Sequence, residues 1–89
     1  MSPVEFINEP VLVEARSLPD GSWRPLAFQW QGRHHQITEL GRQWQEDVDG
    51  IVWRCFMIRT GDGSAFELCL DTAAGRWLLG RAWPAQQVV

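Results

Sequence analysis

The sequence predicts an all-β fold, in which a six-stranded antiparallel meander curls into a small barrel or a strongly twisted sheet. Two observations lead to this fold class. Apolar and polar residues alternate through several short runs, and turn residues such as Gly, Pro and Asp separate those runs. No run has a convincing helical period. Closing the sheet on itself would shelter the bulky tryptophans and hide the edge strands.

The first predicted strand covers residues 11–16, within the run EPVLVEA. The segment SLPDGSW follows it and carries Pro, Asp and Gly in succession, which is typical of a turn. The next two strands, RPLAFQW and RHHQITEL, flank a two-residue Gln31-Gly32 loop. This loop sets a register that keeps apolar side chains on one face. The predicted cross-strand pairs are Trp30–Arg33, Phe28–His35 and Leu26–Ile37.

The polar segment GRQWQEDVDG, residues 41–50, interrupts the alternation. Its flanking glycines and its many polar residues predict a loop, or an irregular strand end that carries Trp44. A short helix is an alternative, although few residues are available for it. Glu46, Asp47 and Asp49 lack the ligand spacing of a calcium-binding loop, so a solvated acidic loop is the preferred interpretation.

The segment WRCFMIRTGDGSAFELCLD predicts a hairpin around a three-residue loop, residues 61–63. Gly63 would take the left-handed conformation that such a loop needs. Thr60 then pairs with Ser64, and this pair fixes the register of both strands. One face carries Ile58–Phe66, Phe56–Leu68 and Arg54–Leu70, and the other carries Cys55–Cys69, Met57–Glu67 and Arg59–Ala65.

The last turn, DTAAGR, predicts a four-residue loop closed by Asp71 and Arg76, with Gly75 in the left-handed conformation. A three-residue loop is an alternative, and it would turn Leu78 inward. Pro84 should end the sheet. The four-residue loop gives the cross-strand pairs Leu70–Trp77 and Leu68–Leu79.

Length and charge restrict the domain organisation and the function. The 89 residues suit one small β domain (1–89), with a core at about 11–83 and a loose tail at 84–89. The net charge is −3, from eight basic residues, all of them Arg, and eleven acidic ones, so nucleic-acid binding would need a local basic patch. No run resembles a membrane span, and the N-terminal MSPVEFINEPV lacks the features of a signal peptide. A cytoplasmic location without membrane contact is therefore expected.

The sequence contains no recognisable catalytic, cofactor or metal site. His34 and His35 point to opposite faces of a strand, so we interpret His35 as a half-buried aromatic substitute and His34 as a solvent residue. Cys55 and Cys69 are predicted neighbours, and reduced, buried thiols are favoured over a disulfide in the cytoplasm. No nucleophile with a base, carboxylate pair or phosphate-binding loop is evident. We therefore expect a protein that is not an enzyme and has no evident small-molecule substrate.

The six tryptophans are unusual for so short a chain. A core filled by the hairpin residues leaves too little room for all of them, so one or two should be partly exposed. An exposed Trp beside an Arg would suit a protein groove or stacked bases. The predicted core comprises Phe56, Ile58, Phe66, Leu68, Trp77 and Leu79. The predicted interaction surface comprises Trp30, Arg33, Trp44, Trp53, Arg54 and Arg59.

The segments RPLAFQWQGRHHQI and VWRCFMIRTGDGSAFELCLDTAAGRWLL, with the Trp between them, resemble a small bacterial all-β domain family of unknown function. The family pattern is of the kind PxxFxWxGRxYxV, then an aromatic-rich strand, a DG turn, a YEL strand and GxW. The resemblance covers most of residues 24–83, and His35 and Phe66 stand where the pattern has Tyr. Members look like stand-alone small proteins or tails of mutagenic-repair accessory proteins similar to Y-family polymerases. The resemblance therefore implies a link with DNA damage tolerance.

Taken together, the sequence favours a non-catalytic protein-interaction or accessory module that acts through an aromatic and Arg surface. One alternative is a β-barrel that binds single-stranded nucleic acid with Trp and Arg side chains, although the acidic net charge argues against it. Another is a structural small protein that homodimerises through an edge strand or an exposed Trp patch. Each reading assigns the exposed tryptophans a different partner.

Overall fold

The computed structural model describes residues 4–85, and within them the protein is all-β, with seven strands and no helix. The strands form one antiparallel sheet in the order β1-β7-β6-β5-β4-β3-β2, which curls into a half-barrel. The predicted fold class is thus confirmed, while the predicted count of six strands is one too few. The strands are β1 (Glu5–Pro10), β2 (Leu12–Ser17), β3 (Trp23–Trp30), β4 (Arg33–Val48), β5 (Ile51–Thr60), β6 (Ala65–Asp71) and β7 (Arg76–Trp83).

The additional strand is β1, which lies before the predicted core boundary at residue 11. It pairs with β7 at the far end of the sheet. Asn8 has a positive φ of 51°, and the register shifts between Phe6 and Glu9, so no regular alternation marks the strand in the sequence. A single residue, Val11, joins β1 to β2, and its N–H donates to the Trp77 carbonyl at 3.2 Å. β1 and β2 are consecutive in the sequence, yet they form the two opposite edge strands of the sheet.

The two later hairpins have the predicted registers. Every β5–β6 pair from Trp53–Asp71 to Arg59–Ala65 matches the prediction, and Gly63 has the expected left-handed φ of 87°. The four-residue loop before β7 is confirmed as well, with Gly75 at a φ of 69°. Local turn chemistry and alternating apolar residues agree in both hairpins, which is why the sequence defines them well.

The β3–β4 hairpin follows the prediction only near its turn. The pairs Trp30–Arg33 and Phe28–His35 are confirmed, but the expected Leu26–Ile37 pair is wrong. Ile37 pairs with Thr60 of β5 instead. The register between β2 and β3 shifts beside Leu26, which makes Leu26 an extra, bulged residue with 38% of its surface exposed.

Residues 41–48 are the main correction to the predicted elements. They belong to β4, a strand of 16 residues, and not to a loop or a helix. The chain reverses at Asp49-Gly50, whose φ values of 53° and 80° fit the two-residue turn that most favours a hairpin. The register shift between Leu40 and Gln43 makes the strand irregular at residues 41 and 42, as the second predicted form allowed.

The core lies on the inner, concave face of the sheet. Phe28 of β3 stacks on His35 with ring centroids 4.9 Å apart and meets Phe66 edge-on at 5.1 Å. Trp77 packs against this cluster from β7. The predicted core is therefore confirmed, with residues from β3 and β7 added. Its fully buried members are Phe28, Phe56, Ile58, Phe66, Leu68, Leu79 and Ala82.

Pro84 lies outside β7, as predicted. Of the predicted tail at 84–89, residues 86–89 fall outside the described part of the chain. Within residues 4–85 the chain contains no helix with the length and hydrophobicity of a membrane span.

Candidate interaction surface

The six residues of the predicted interaction surface do not converge on one place. Trp30 packs against the core, with its ring edge-on to Phe66 at 5.8 Å, and its Nε1 donates to Glu9 Oε2 at 3.3 Å. Arg33 lies beside it at the β3–β4 turn and is exposed. The structure therefore gives Trp30 a packing role, because its ring faces the interior of the protein.

The other two predicted arginines lie on opposite faces of β5. Arg54 pairs with Leu70, and its side chain lies on the inner face of the sheet. There it borders a concavity that Asp20 and Trp23 also line. Arg59 lies on the outer face, where its Nε is 3.2 Å from Glu39 Oε2. The two side chains cannot contribute to one surface.

Trp44 and Trp53 are brought together on the outer face of the sheet. Trp44 pairs with Cys55, and Trp53 pairs with Glu46, so the two indoles are diagonal neighbours on adjacent strands. The Arg42 guanidinium lies over the Trp44 ring, 5.2 Å from its centroid, and Trp44 Nε1 donates to Glu46 Oε1 at 2.8 Å. We call Arg42, Trp44 and Glu46 the Trp44 stripe.

Sequence reasoning missed Arg42 and Glu46 as part of this surface. Their spacing of two residues on either side of Trp44, in RQWQE, is the signal that could have identified them. That signal has meaning only in a strand, whereas the polar residues of this segment predict a loop or an irregular strand end.

The second half of β4 also leaves one backbone edge open. β3 pairs with residues 33–36 of β4, whereas β5 pairs with residues 37–48. In the described part of the chain, no strand pairs with the other side of residues 43–48. We call residues 43–48 the β4 edge. Such an edge is a template on which another strand can form hydrogen bonds.

The β5–β6 hairpin shows which backbone groups of the β4 edge point outward. The Thr60 N–H donates to the Ser64 carbonyl at 3.0 Å, so the even-numbered residues of β5 direct their backbone groups to β6. Odd-numbered residues such as Cys55 therefore bond with β4, where Cys55 meets Trp44. The N–H and C=O groups that point away from β5 belong to Gln43, Gln45 and Asp47.

Three further arginines of the outer face contact carboxylates. Arg81 donates to Glu67 through both Nε and Nη2, and this contact raises the pKa of the Arg81 guanidinium. A Cβ atom built at Gly80 would collide with Oε1 of Glu67, so the absence of a side chain at Gly80 leaves room for the carboxylate. The outer-face ion pairs are Arg59–Glu39 at 3.2 Å, Arg81–Glu67 at 2.5 Å and Arg76–Asp71 at 3.7 Å.

The two cysteines are buried on the outer face as free thiols, opposite one another as predicted. Burial raises the pKa of both the Cys55 and the Cys69 thiol, because it removes water from the charged form. A thiol in this state is a poor nucleophile.

We expect Cys55 and Cys69 to resist a disulfide-exchange reagent such as Ellman's reagent at pH 8 until the protein unfolds. Because both folded pKa values lie above the unfolded value, the free energy of unfolding should also fall as the pH rises above about 8.5. A Thr72→Cys variant, with the new thiol at an exposed position, is the control and should react at once. Rapid labelling of native Cys55 or Cys69 would contradict the expectation.

A second concave region lies between β2 and the β6–β7 turn. It has a volume of about 340 Å³ and is mainly apolar. Trp23 and Leu12 are its most exposed apolar side chains, at 48% and 74%. The predicted surface omitted Trp23, whose neighbours come from distant parts of the chain. The walls are formed by Leu12, Val13, Ala15, Trp23, Leu70, Thr72, Gly75 and Trp77.

His35 is half-buried and His34 is exposed, as the sequence predicted. No cluster of three or more His, Cys, Asp or Glu side chains in residues 4–85 is arranged to hold a metal ion. Comparisons with protein-family models, curated proteins and solved structures found no match to this chain.

Proposed function

We propose that this protein is a non-catalytic protein-interaction module that binds an extended strand of a protein partner along the β4 edge. The observation that carries this proposal is the outward-facing row of backbone groups at Gln43, Gln45 and Asp47, which no described strand pairs. An added strand would receive main-chain hydrogen bonds from this row. The Trp44 stripe beside it would contact alternate side chains of that strand.

The other two free margins of the sheet are less suited to this role. β1 contains left-handed Asn8 and ends at Pro10, and both features interrupt a regular ladder. Val13 and Ala15 of β2 border the concave region whose opposite wall is the β6–β7 turn. The β4 edge, by contrast, is regular from residue 43 to residue 48 and its outward side is exposed.

The charge arrangement favours a protein partner over single-stranded nucleic acid. Three outer-face arginines already contact carboxylates. Arg42 lies over the ring of Trp44, and Trp44 Nε1 donates to Glu46. Phosphates would have to displace these intramolecular partners, in a protein with a net charge of −3. The link with DNA damage tolerance that the resemblance implies stays a prediction.

Gln45→Pro should abolish partner binding and leave the fold intact. The Gln45 N–H points away from β5, so proline removes a hydrogen bond that an added strand needs and none that β4 makes with β5. The measurement is site-specific photo-crosslinking in cells that express the chain, with a photoreactive amino acid at Gln43. A defined adduct, with a second copy or another protein, should form and should disappear in the Gln45→Pro background.

Two controls make this result specific. Gln45→Ala keeps the N–H and should retain the adduct, and a photoreactive residue at Gln29, which lies between β2 and β4 in the sheet, should give none. Circular dichroism of Gln45→Pro checks that the sheet persists. Absence of any adduct from Gln43, or an adduct that survives Gln45→Pro in a folded protein, would refute binding through the β4 edge.

A further inference from the structure

The β4 edge is complementary to itself. Along the outer face, Arg42 stands at one end of the Trp44 stripe and Glu46 at the other. Two antiparallel copies related by a two-fold axis through Trp44 would place each Arg42 opposite the Glu46 of the other copy. On the inner face the same arrangement places Gln43 opposite Gln45. Opposite charges that lie directly across from one another on two paired strands stabilise the pairing.

The backbone permits this register. In an antiparallel pair, hydrogen bonds join residues whose backbone groups both face the partner strand. Gln43 and Gln45 both face outward from β5, so the two Gln43–Gln45 pairs would exchange about four hydrogen bonds. Trp44 directs its own backbone groups to β5 and would sit between those pairs, next to the second Trp44 side chain.

Neighbouring registers keep the hydrogen bonds but lose the charge match. A two-fold axis through Gln45 places Trp44 opposite Glu46 and Arg42 opposite Val48. An axis through Gln43 places Arg42 opposite Trp44, and an axis through Glu46 sets two carboxylates against each other. Only the axis through Trp44 pairs each Arg42 with a Glu46.

From these observations we infer that the strand bound by the β4 edge is the β4 edge of a second copy of this chain, in an antiparallel register centred on Trp44. The inference rests on the proposed function, since it names the partner of that same edge. It joins two curled sheets into one continuous sheet through an isologous interface. The contact is small, so the dimer should form reversibly in the micromolar range.

Charge reversals on the purified full chain test the partner and the register together. Wild-type protein in analytical ultracentrifugation should approach twice the 10.2 kDa mass of one chain as its concentration rises. Glu46→Arg sets arginines against one another at both symmetric positions and should weaken the dimer by about tenfold or more. The double variant R42E/E46R restores opposite charges across the two-fold axis, so its dimer should recover most of the lost affinity.

A matched control comes from β2, where Glu14 and Arg16 are also two residues apart on a sheet margin. Glu14→Arg makes the same charge change and should leave the dimer unaffected. Loss of the dimer in Glu14→Arg but not in Glu46→Arg would assign the contact to β2 and overturn the inference. A failure of R42E/E46R to recover, with normal circular dichroism, would overturn the register.

The outcomes for the inference and for the proposed function are distinct. A chain that stays monomeric at its highest soluble concentration overturns self-pairing. The photo-crosslinking result would then decide whether the β4 edge binds a strand of another protein. An adduct with a different protein would still support the β4 edge as a binding site. A dimer that persists in both Glu46→Arg and Gln45→Pro overturns self-pairing through the β4 edge, and the proposed function is still decided by the photo-crosslinking result.

Discussion

Replacing Phe28 with Ala should lower the free energy of unfolding by about 3–5 kcal/mol, a large part of the total stability of so small a domain. The Phe28 ring is fully buried and links β3 to the main core through its contacts with His35 and Phe66. Removing it leaves a cavity between the two parts of the curled sheet. Chemical denaturation followed by Trp fluorescence measures the loss.

Phe6→Ala is the matched control, because the same atoms are removed from a side chain that is 71% exposed. Its effect should stay within about 0.5 kcal/mol. If both variants lost the same stability, burial of Phe28 could not be the reason for its effect, and the assignment of β3 to the core would be wrong.

Arg81→Met should destabilise the protein by about 1.5–3 kcal/mol. The side chain of Glu67 is only 12% exposed, and its Oε2 accepts hydrogen bonds from Arg81 at 2.9 and 2.5 Å. Methionine preserves much of the packing of the Arg81 stem but leaves a largely buried carboxylate without its charged partner. The free energy of unfolding near neutral pH is the quantity to compare.

Two further variants separate this effect from a general loss of charge. Arg59→Met removes the exposed ion pair with Glu39 on the same face and should cost less than about 1 kcal/mol. The double variant E67Q/R81M replaces the carboxylate that has lost its charged partner with a neutral amide, so it should be more stable than Arg81→Met alone. A double variant that is less stable than the single one would show that the Glu67 charge is not the source of the penalty.

The success of the sequence prediction depended on how local each pairing is. Both hairpins after β5 combine a left-handed glycine, Gly63 or Gly75, with strands that bury one face, and their registers follow from the sequence alone. β1 pairs with β7 across nearly the whole chain, and left-handed Asn8 obscures its alternation. Pairing with a strand that is distant in the sequence produces no pattern that a short window of sequence can show.

The candidate site was harder to predict because alternation of apolar and polar residues reports burial. Gln43 and Gln45 lie in a strand whose faces are both accessible there, so polar residues occupy it throughout and the segment resembles a loop. The tryptophans were also ambiguous. Trp30 packs on the core and Trp23 is half exposed, because the neighbours of each ring come from elsewhere in the chain.

The single-residue junction at Val11 has a consequence for the order of folding. Hairpins β2–β3, β3–β4, β4–β5, β5–β6 and β6–β7 each join neighbouring segments and can form early, since the entropy cost of closing their loops is low. β1 finds its partner only after β7 has been synthesised, so its pairing has the highest contact order in the fold. During translation the segment before Val11 therefore stays unpaired, and the sheet is completed only after β7 has left the ribosome.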